Sequence, residues 1–293
     1  VKSMKKALAA IMALIFSLCV AIPAFAAEAG EQRITMGANL SDKQRAEIYN
    51  TFGVKEGSVK ELKVTNAEER EYLEGVAPEK YLGNVALSCV YITVLEEGKG
   101  LEIETNNINW VTKEMYENAL ITAGITNAHV IVSAPYPLSG TAALTGIYKA
   151  YEDIGGEKLD EDDKTAAIKE LITTAELADF IGSEEATRLI NELKKILDNI
   201  KNMSDDEVRA EIRRIADECK VELTDDQVEQ LLQLCRTFQN LDVDNLQSRL
   251  LGWLDTIDKA SSVSDWFAGV WNSVLEFFTN VGDFFKGLFT GGK

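Results

Sequence analysis

The sequence predicts an α+β or α/β N-terminal domain with a mixed sheet, followed by an all-α helical domain and a long C-terminal amphipathic helix. Three observations lead there. Up to about residue 155, runs rich in β-branched residues alternate with capped helical patterns. At 153–164 (DIGGEKLDEDDK) a glycine pair and a run of acids mark a linker, after which strand signals stop. The last stretch, 265–293 (DWFAGVWNSVLEFFTNVGDFFKGLFTGGK), holds eight of the chain's 23 aromatic residues. The divisions are 1–26, 31–155, 156–262 and 263–293.

In the first half the strand-like runs are 60–65 (KELKVT), 86–95 (ALSCVYITVL), 101–105 (LEIET) and 128–133 (AHVIVS), bounded by Gly, Asn or Pro. Between them Ser41 opens one helix, Thr112 a second, and Gly140 begins an alanine-rich third that runs to Tyr151. Segments 41–54 and 112–125 share cap, helix length and a following strand at an offset of 71 residues, with Gly53 and Gly124 where a left-handed cap is expected. That pattern predicts one helix-strand unit used twice in a sheet. In the second half, helices are expected at 161–181, 183–201, 204–220, 224–239, 243–260 and 263–289. Ser204 with Glu207 and Thr224 with Gln227 form capping boxes 20 residues apart, and Val208/Val228 and Ile212/Leu232 match in register, so 204–239 reads as a helical hairpin.

The N-terminus has the form of a secretory signal peptide: Lys2, Lys5 and Lys6, the apolar run 7–22, then Pro23 and the small-residue site Ala24-Phe25-Ala26. Leu18 before Cys19 lacks the small residue that lipid attachment needs. An exported protein, extracellular or held at the cell envelope, is the expectation. Loss of the three lysines takes the net charge from −18 to −21. Such a balance excludes nucleic acid as a partner, because phosphate binding needs clustered Lys and Arg. It also argues against simple electrostatic attraction to anionic lipid.

Three cysteines remain beyond the leader: Cys89, Cys219 and Cys235. Across a turn near Val221, Cys219 and Cys235 are offset by roughly 15 Å at 1.5 Å rise per residue. A disulfide needs Cα atoms within about 7 Å, so buried free thiols are expected.

The stretch 129–146 (HVIVSAPYPLSGTAALTG) carries the candidate ligand turn, Ser139-Gly140-Thr141, after Pro135 and Pro137. Backbone N–H groups at a helix start can hold an anion; the alternative is that Ser139 caps the helix and Ala142, Ala143 and Gly146 let it pack closely. His129 is the chain's one histidine and lies at the far end of the strand, so no serine triad is formed. One histidine and scattered cysteines supply no zinc or iron ligand set. The acidic stretches 160–163 and 242–245 read as helix caps rather than calcium loops. Neither metal, cofactor nor catalytic residue is implied.

The segments 34–40 (ITMGANL), 134–147 (APYPLSGTAALTGI) and 221–234 (VELTDDQVEQLLQL) together resemble a family of exported proteins of Gram-positive bacteria, catalogued as a domain of unknown function. The resemblance covers about residues 31–250 and implies export and a two-part architecture; it brings no activity, cofactor or catalytic residue.

In the final helix Phe267, Trp271, Val274, Phe278, Val281, Phe285 and Leu288 alternate spacings of four and three, one continuous apolar stripe. Its cover is the protein's own helices, a membrane surface, or a partner such as an envelope protein or a second copy; the scarcity of Lys and Arg on the polar face argues against a typical interfacial helix. The expected function is an exported, non-enzymatic, envelope-associated binding or structural protein. The alternative is a hydrolase or ligand-binding enzyme acting on envelope material through the 134–141 turn.

Overall fold

A computed structural model describes residues 28–155 and 158–260. The segment 1–26, expected to be a leader, and the stripe residues Phe267, Trp271, Val274, Phe278, Val281, Phe285 and Leu288 lie outside the described residues. The first half forms β1 (Gln32–Gly37), α1 (Asp42–Phe52), β2 (Glu61–Val64), α2 (Asn66–Leu73), a 3-10 turn (Glu79–Tyr81), β3 (Cys89–Val94), β4 (Leu101–Ile108), α3 (Lys113–Thr122), β5 (Ala128–Leu138) and α4 (Ala143–Gly155). The second half is helical: α5 (Glu161–Ile181), α6 (Ser183–Lys195), α7 (Leu197–Ile200), α8 (Asp205–Cys219), α9 (Asp225–Phe238) and α10 (Val243–Ala260).

The sheet is mixed, in the order β2-β1-β3-β5-β4, with β3 antiparallel to its neighbours. Ile34, Met36, Cys89 and Tyr91 point to one face and are covered by Ile48, Tyr49 and Phe52 of α1. Val90, Ile92, Ile103, Val130 and Val132 point to the other, where α3, α4 and α5 build the larger core. This strict alternation is what places two cores on one sheet.

The repeated unit extends to a full strand-helix-strand. Ile34 pairs with Glu61, and 71 residues on Thr105 pairs with Val132. The caps correspond too: Val54 N–H donates to Tyr49 O (3.3 Å) and Ile125 N–H to Leu120 O (2.8 Å), with Gly53 and Gly124 at φ 69° and 91°. The two crossovers nevertheless step the same way across the sheet and carry α1 and α3 on opposite faces. They are therefore of opposite hand, one of them the rare left-handed kind. The repetition is one of local signals, not of superposable units.

Four expectations need correction. The structure adds a strand at 32–37, whose alternation in the sequence is masked by Arg33, Thr35 and a terminal glycine. The turn expected at Pro135 and Pro137 is instead the end of β5. Pairing with β3 stops at Ser133, so the prolines fall where no N–H is needed on that side, while a bulge at Asn107 carries the β4 ladder on to Ile108 and Leu138. The third helix begins at Ala143 rather than Gly140, which sits at φ 92° in the turn before it. The helix expected over 183–201 breaks at Ile196 (φ −100°, ψ 7°) into α6 and α7.

Both capping boxes of the α8–α9 hairpin are formed, and Val208, Ile212, Val228 and Leu232 are all buried in the helical core. Asp160 Oδ1 accepts from the N–H groups of Asp162 and Asp163, and Asp242 Oδ1 from that of Asn245, so both acidic stretches serve as caps. Helix α5 joins the two halves: Ile168, Leu171 and Ile172 pack in the sheet-side core, Ala166 and Leu177 in the helical one. Cys89, Cys219 and Cys235 are free and buried.

Candidate functional site

Where α5 passes between the sheet half and the α8–α9 hairpin, it leaves a cleft of about 650 Å³. Helical spacing explains its base. Lys169, Ile172, Thr173 and Glu176 recur three and four residues apart, so they form one line along α5. Gly75 and Val76, just after α2, make one wall; Asp226, Glu229, Gln230, Gln233, Leu234 and Thr237 of α9 make the other. Buried Ile172 and Leu234 give an apolar floor under a rim of amide, hydroxyl and carboxylate groups. Glu229 is held below the usual carboxylate range by hydrogen bonds from Gln233 (3.1 Å) and Arg209 (3.0 Å).

The line on α5 continues one turn past Glu176 to Asp179 and Phe180. Phe180 is 77% exposed, the most exposed of the large hydrophobic side chains among the described residues. Asp179 holds an aromatic pair: its Oδ1 accepts from Trp110 Nε1 (3.1 Å) and its Oδ2 from the Tyr81 hydroxyl (3.4 Å). The two rings stack with centroids 3.6 Å apart and planes 14° from parallel. Both are half-buried, Trp110 packing partly against the sheet-side core.

The candidate turn Ser139-Gly140-Thr141 lies behind this pair. Its two hydroxyls and the carbonyls of Ser139 and Gly140 are used within the protein. Ser139 Oγ is 3.3 Å from Thr141 Oγ1, and Thr141 donates to Tyr81 O at 3.4 Å. Ser139 O accepts from the N–H of Val111, next to Trp110, at 3.0 Å. Gly140 O accepts the buried Tyr116 hydroxyl at 2.6 Å. The turn thus positions the segments carrying Tyr81 and Trp110. His129 is elsewhere, on the sheet face shared with α1, with Nε2 2.8 Å from Glu104 Oε1.

Sequence reasoning missed Tyr81, Trp110, Asp179 and Phe180. Phe180 carried a usable signal, because it falls on the polar line of α5 with Thr173 and Glu176 instead of on the apolar one. Tyr81 and Trp110 carried none, since each sits in an irregular segment and only the fold brings them together. Among the described residues, no group of three or more His, Cys, Asp or Glu side chains could hold a metal ion. None of the described helices is long and apolar enough to cross a membrane.

Fold and site define a mixed-sheet α/β protein with an appended helical layer and an open polar cleft between the two. The chain belongs to the family described as a protein of unknown function, DUF1002, whose model matches residues 36–251. It is 37% identical over 267 residues to the uncharacterized protein YpuA of Bacillus subtilis (strain 168), a match covering 86% of this chain and 91% of that one. No solved structure matches it.

Proposed function

We propose that this is an exported, envelope-associated protein that binds rather than transforms its ligand, with the cleft along α5 as its binding surface. The observation that carries the reading is the cleft itself, with an apolar floor and a rim of Gln, Thr and acidic side chains; one turn further along its base helix, Asp179 holds the Tyr81–Trp110 pair. Such a mixture of apolar area and a few polar groups is what ligand sites offer. The groups that could serve catalysis are engaged elsewhere. The hydroxyls of Ser139 and Thr141 bond within the protein, which weighs against a hydrolase at 134–141. Burial pushes the thiols of Cys89 and Cys235 up to about 12, far from a reactive thiolate.

Export is supported by the charged, apolar and small-residue zones of 1–26. The stripe from Phe267 to Leu288 supplies a contact to a membrane surface or an envelope protein. The test is fractionation of cells producing the full chain, with N-terminal sequencing of the product. The expected result is a chain starting at Ala27 that sediments with the envelope and is released by detergent or high salt. An unprocessed chain in the cytosolic fraction would overturn the reading.

A further inference from the structure

We propose that the cleft binds a neutral glycan chain, with Phe180 and the Tyr81–Trp110 pair as stacking surfaces. The inference rests on the binding reading above and narrows it to one ligand chemistry.

The argument begins with shape. From Lys169 to Phe180 the line on α5 runs eleven residues, roughly 16 Å at 1.5 Å per residue. That length suits several linked rings rather than one small molecule. The aromatic end comes next. A sugar ring is amphipathic, with an apolar C–H face and a rim of hydroxyls, and the electron-rich face of an aromatic ring attracts C–H groups of that kind. Phe180 is held out at 77% exposure on the same line as Thr173 and Glu176, where its own helix gives it no apolar cover. Trp110 and Tyr81 are fixed by one carboxylate, Asp179, so their ring surface is offered in a set orientation and little freedom is lost on binding.

Polar complementarity points the same way. Sugar hydroxyls and acetamido groups both donate and accept, and so do the side chains of Gln230, Gln233, Thr173 and Thr237 on the two walls. Charge selects among glycans. Among the described residues, Lys169 is the one cation of the lining, against Glu176, Asp226 and Glu229, on a chain of net charge −18. Phosphate- or uronate-bearing polymers are repelled; an uncharged chain is not.

The experiment is isothermal titration of the full mature chain with a neutral N-acetylglucosamine hexamer and with polygalacturonate. Saturable binding of the hexamer and none of the polyanion is expected. Phe180→Ala, a surface change, leaves thermal unfolding in place and weakens hexamer binding at least tenfold; Gln230→Ala with Gln233→Ala weakens it several-fold. Leu251→Ala, which removes an exposed apolar side chain on α10, leaves binding unchanged. Hexamer binding insensitive to Phe180→Ala, or polygalacturonate bound as well as the hexamer, overturns the inference. So does a protein that sediments with the envelope yet binds no hexamer, or whose cleft captures a peptide instead; in those cases the binding reading itself survives.

Discussion

Lys194 Nζ lies 2.7 Å from Glu170 Oε1 at a point where neither side chain reaches solvent. The ammonium also donates to Thr122 Oγ1 (3.2 Å) and Asn118 O (3.3 Å), and the Thr122 hydroxyl donates to the other oxygen of Glu170 (2.5 Å). One network therefore ties α3 of the sheet half to α5 and α6 of the helical half. Burial drives Glu170 up and Lys194 down, toward neutral forms, and their contact opposes both shifts. The relationship fixes α5, the base of the cleft, against α3 and α6.

Removing one partner leaves the other charge buried and alone. Lys194→Met is expected to destabilise the fold by about 3–5 kcal/mol. The pair Lys194→Met with Glu170→Leu costs less than the single change, because an apolar pair of similar size leaves no uncompensated charge. Urea unfolding of Lys194→Met, Glu170→Leu and the double variant checks this; a double variant as unstable as the sum of the singles contradicts it.

Glu69 gives the fold a pH dependence of defined sign. Burial pushes its carboxyl up to about 7, with one weak donor, Asn66 Nδ2 at 3.3 Å, in opposition. Between the ordinary 4.5 and about 7 the folded chain keeps a proton that the unfolded chain has lost, so stability falls as pH rises through that window and levels off above it. Glu117, also pushed up to about 7 by burial, acts in the same direction. Carboxylates held low, such as Glu61 and Asp153, act only as pH drops below the ordinary range. Glu69→Gln should flatten the slope between pH 5 and pH 7.5 in urea midpoints; an unchanged slope contradicts the assignment.

Cys89, Cys219 and Cys235 should be silent until the chain unfolds. Cys89 is fully buried in the sheet, and Cys219 and Cys235 lie in the helical core, their thiols all raised by burial. An aromatic disulfide reagent is expected to label none of them in the native protein and all of them in guanidinium. Rapid labelling without denaturant would show that the core opens locally.

What the sequence disclosed follows from how local each signal is. The α8–α9 hairpin was legible because Ser204 with Glu207 and Thr224 with Gln227 satisfy their helix starts within four residues. Gly53 and Gly124 were legible because a left-handed cap selects glycine. Strand β1 was not, since what makes it a strand is pairing with β2 and β3 rather than its own composition. The same holds for the cleft. Its floor, Ile172 and Leu234, looks like any apolar helix position, and the stacked rings of Tyr81 and Trp110 are brought together by the fold, with Asp179, 69 residues beyond Trp110, accepting from both. At 139–141 the Ser139 hydroxyl meets that of Thr141, which donates to Tyr81 O, a contact supplied by the fold and not by local sequence.

Gly140 tests the link between that turn and the cleft. At φ 92° its conformation disfavours any side chain, and an added Cβ would stand 2.5 Å from both Tyr116 Oη and Ile108 Cγ2. Gly140→Ala is expected to cost roughly 2–4 kcal/mol from backbone strain and overpacking together. Tyr116→Phe alone, which loses the bond to Gly140 O, should cost about 1 kcal/mol. Because the phenolic oxygen is one of the two atoms obstructing the new methyl group, the double variant should be more stable than the sum of the singles predicts, by about 1 kcal/mol. Ser139 and Thr141 flank Gly140 and bond to the segments carrying Trp110 and Tyr81, so Gly140→Ala should also shift the near-ultraviolet circular dichroism of the stacked pair under conditions where the chain remains folded. A destabilised variant with an unaltered aromatic spectrum would mean that the turn supports the fold without setting the rings.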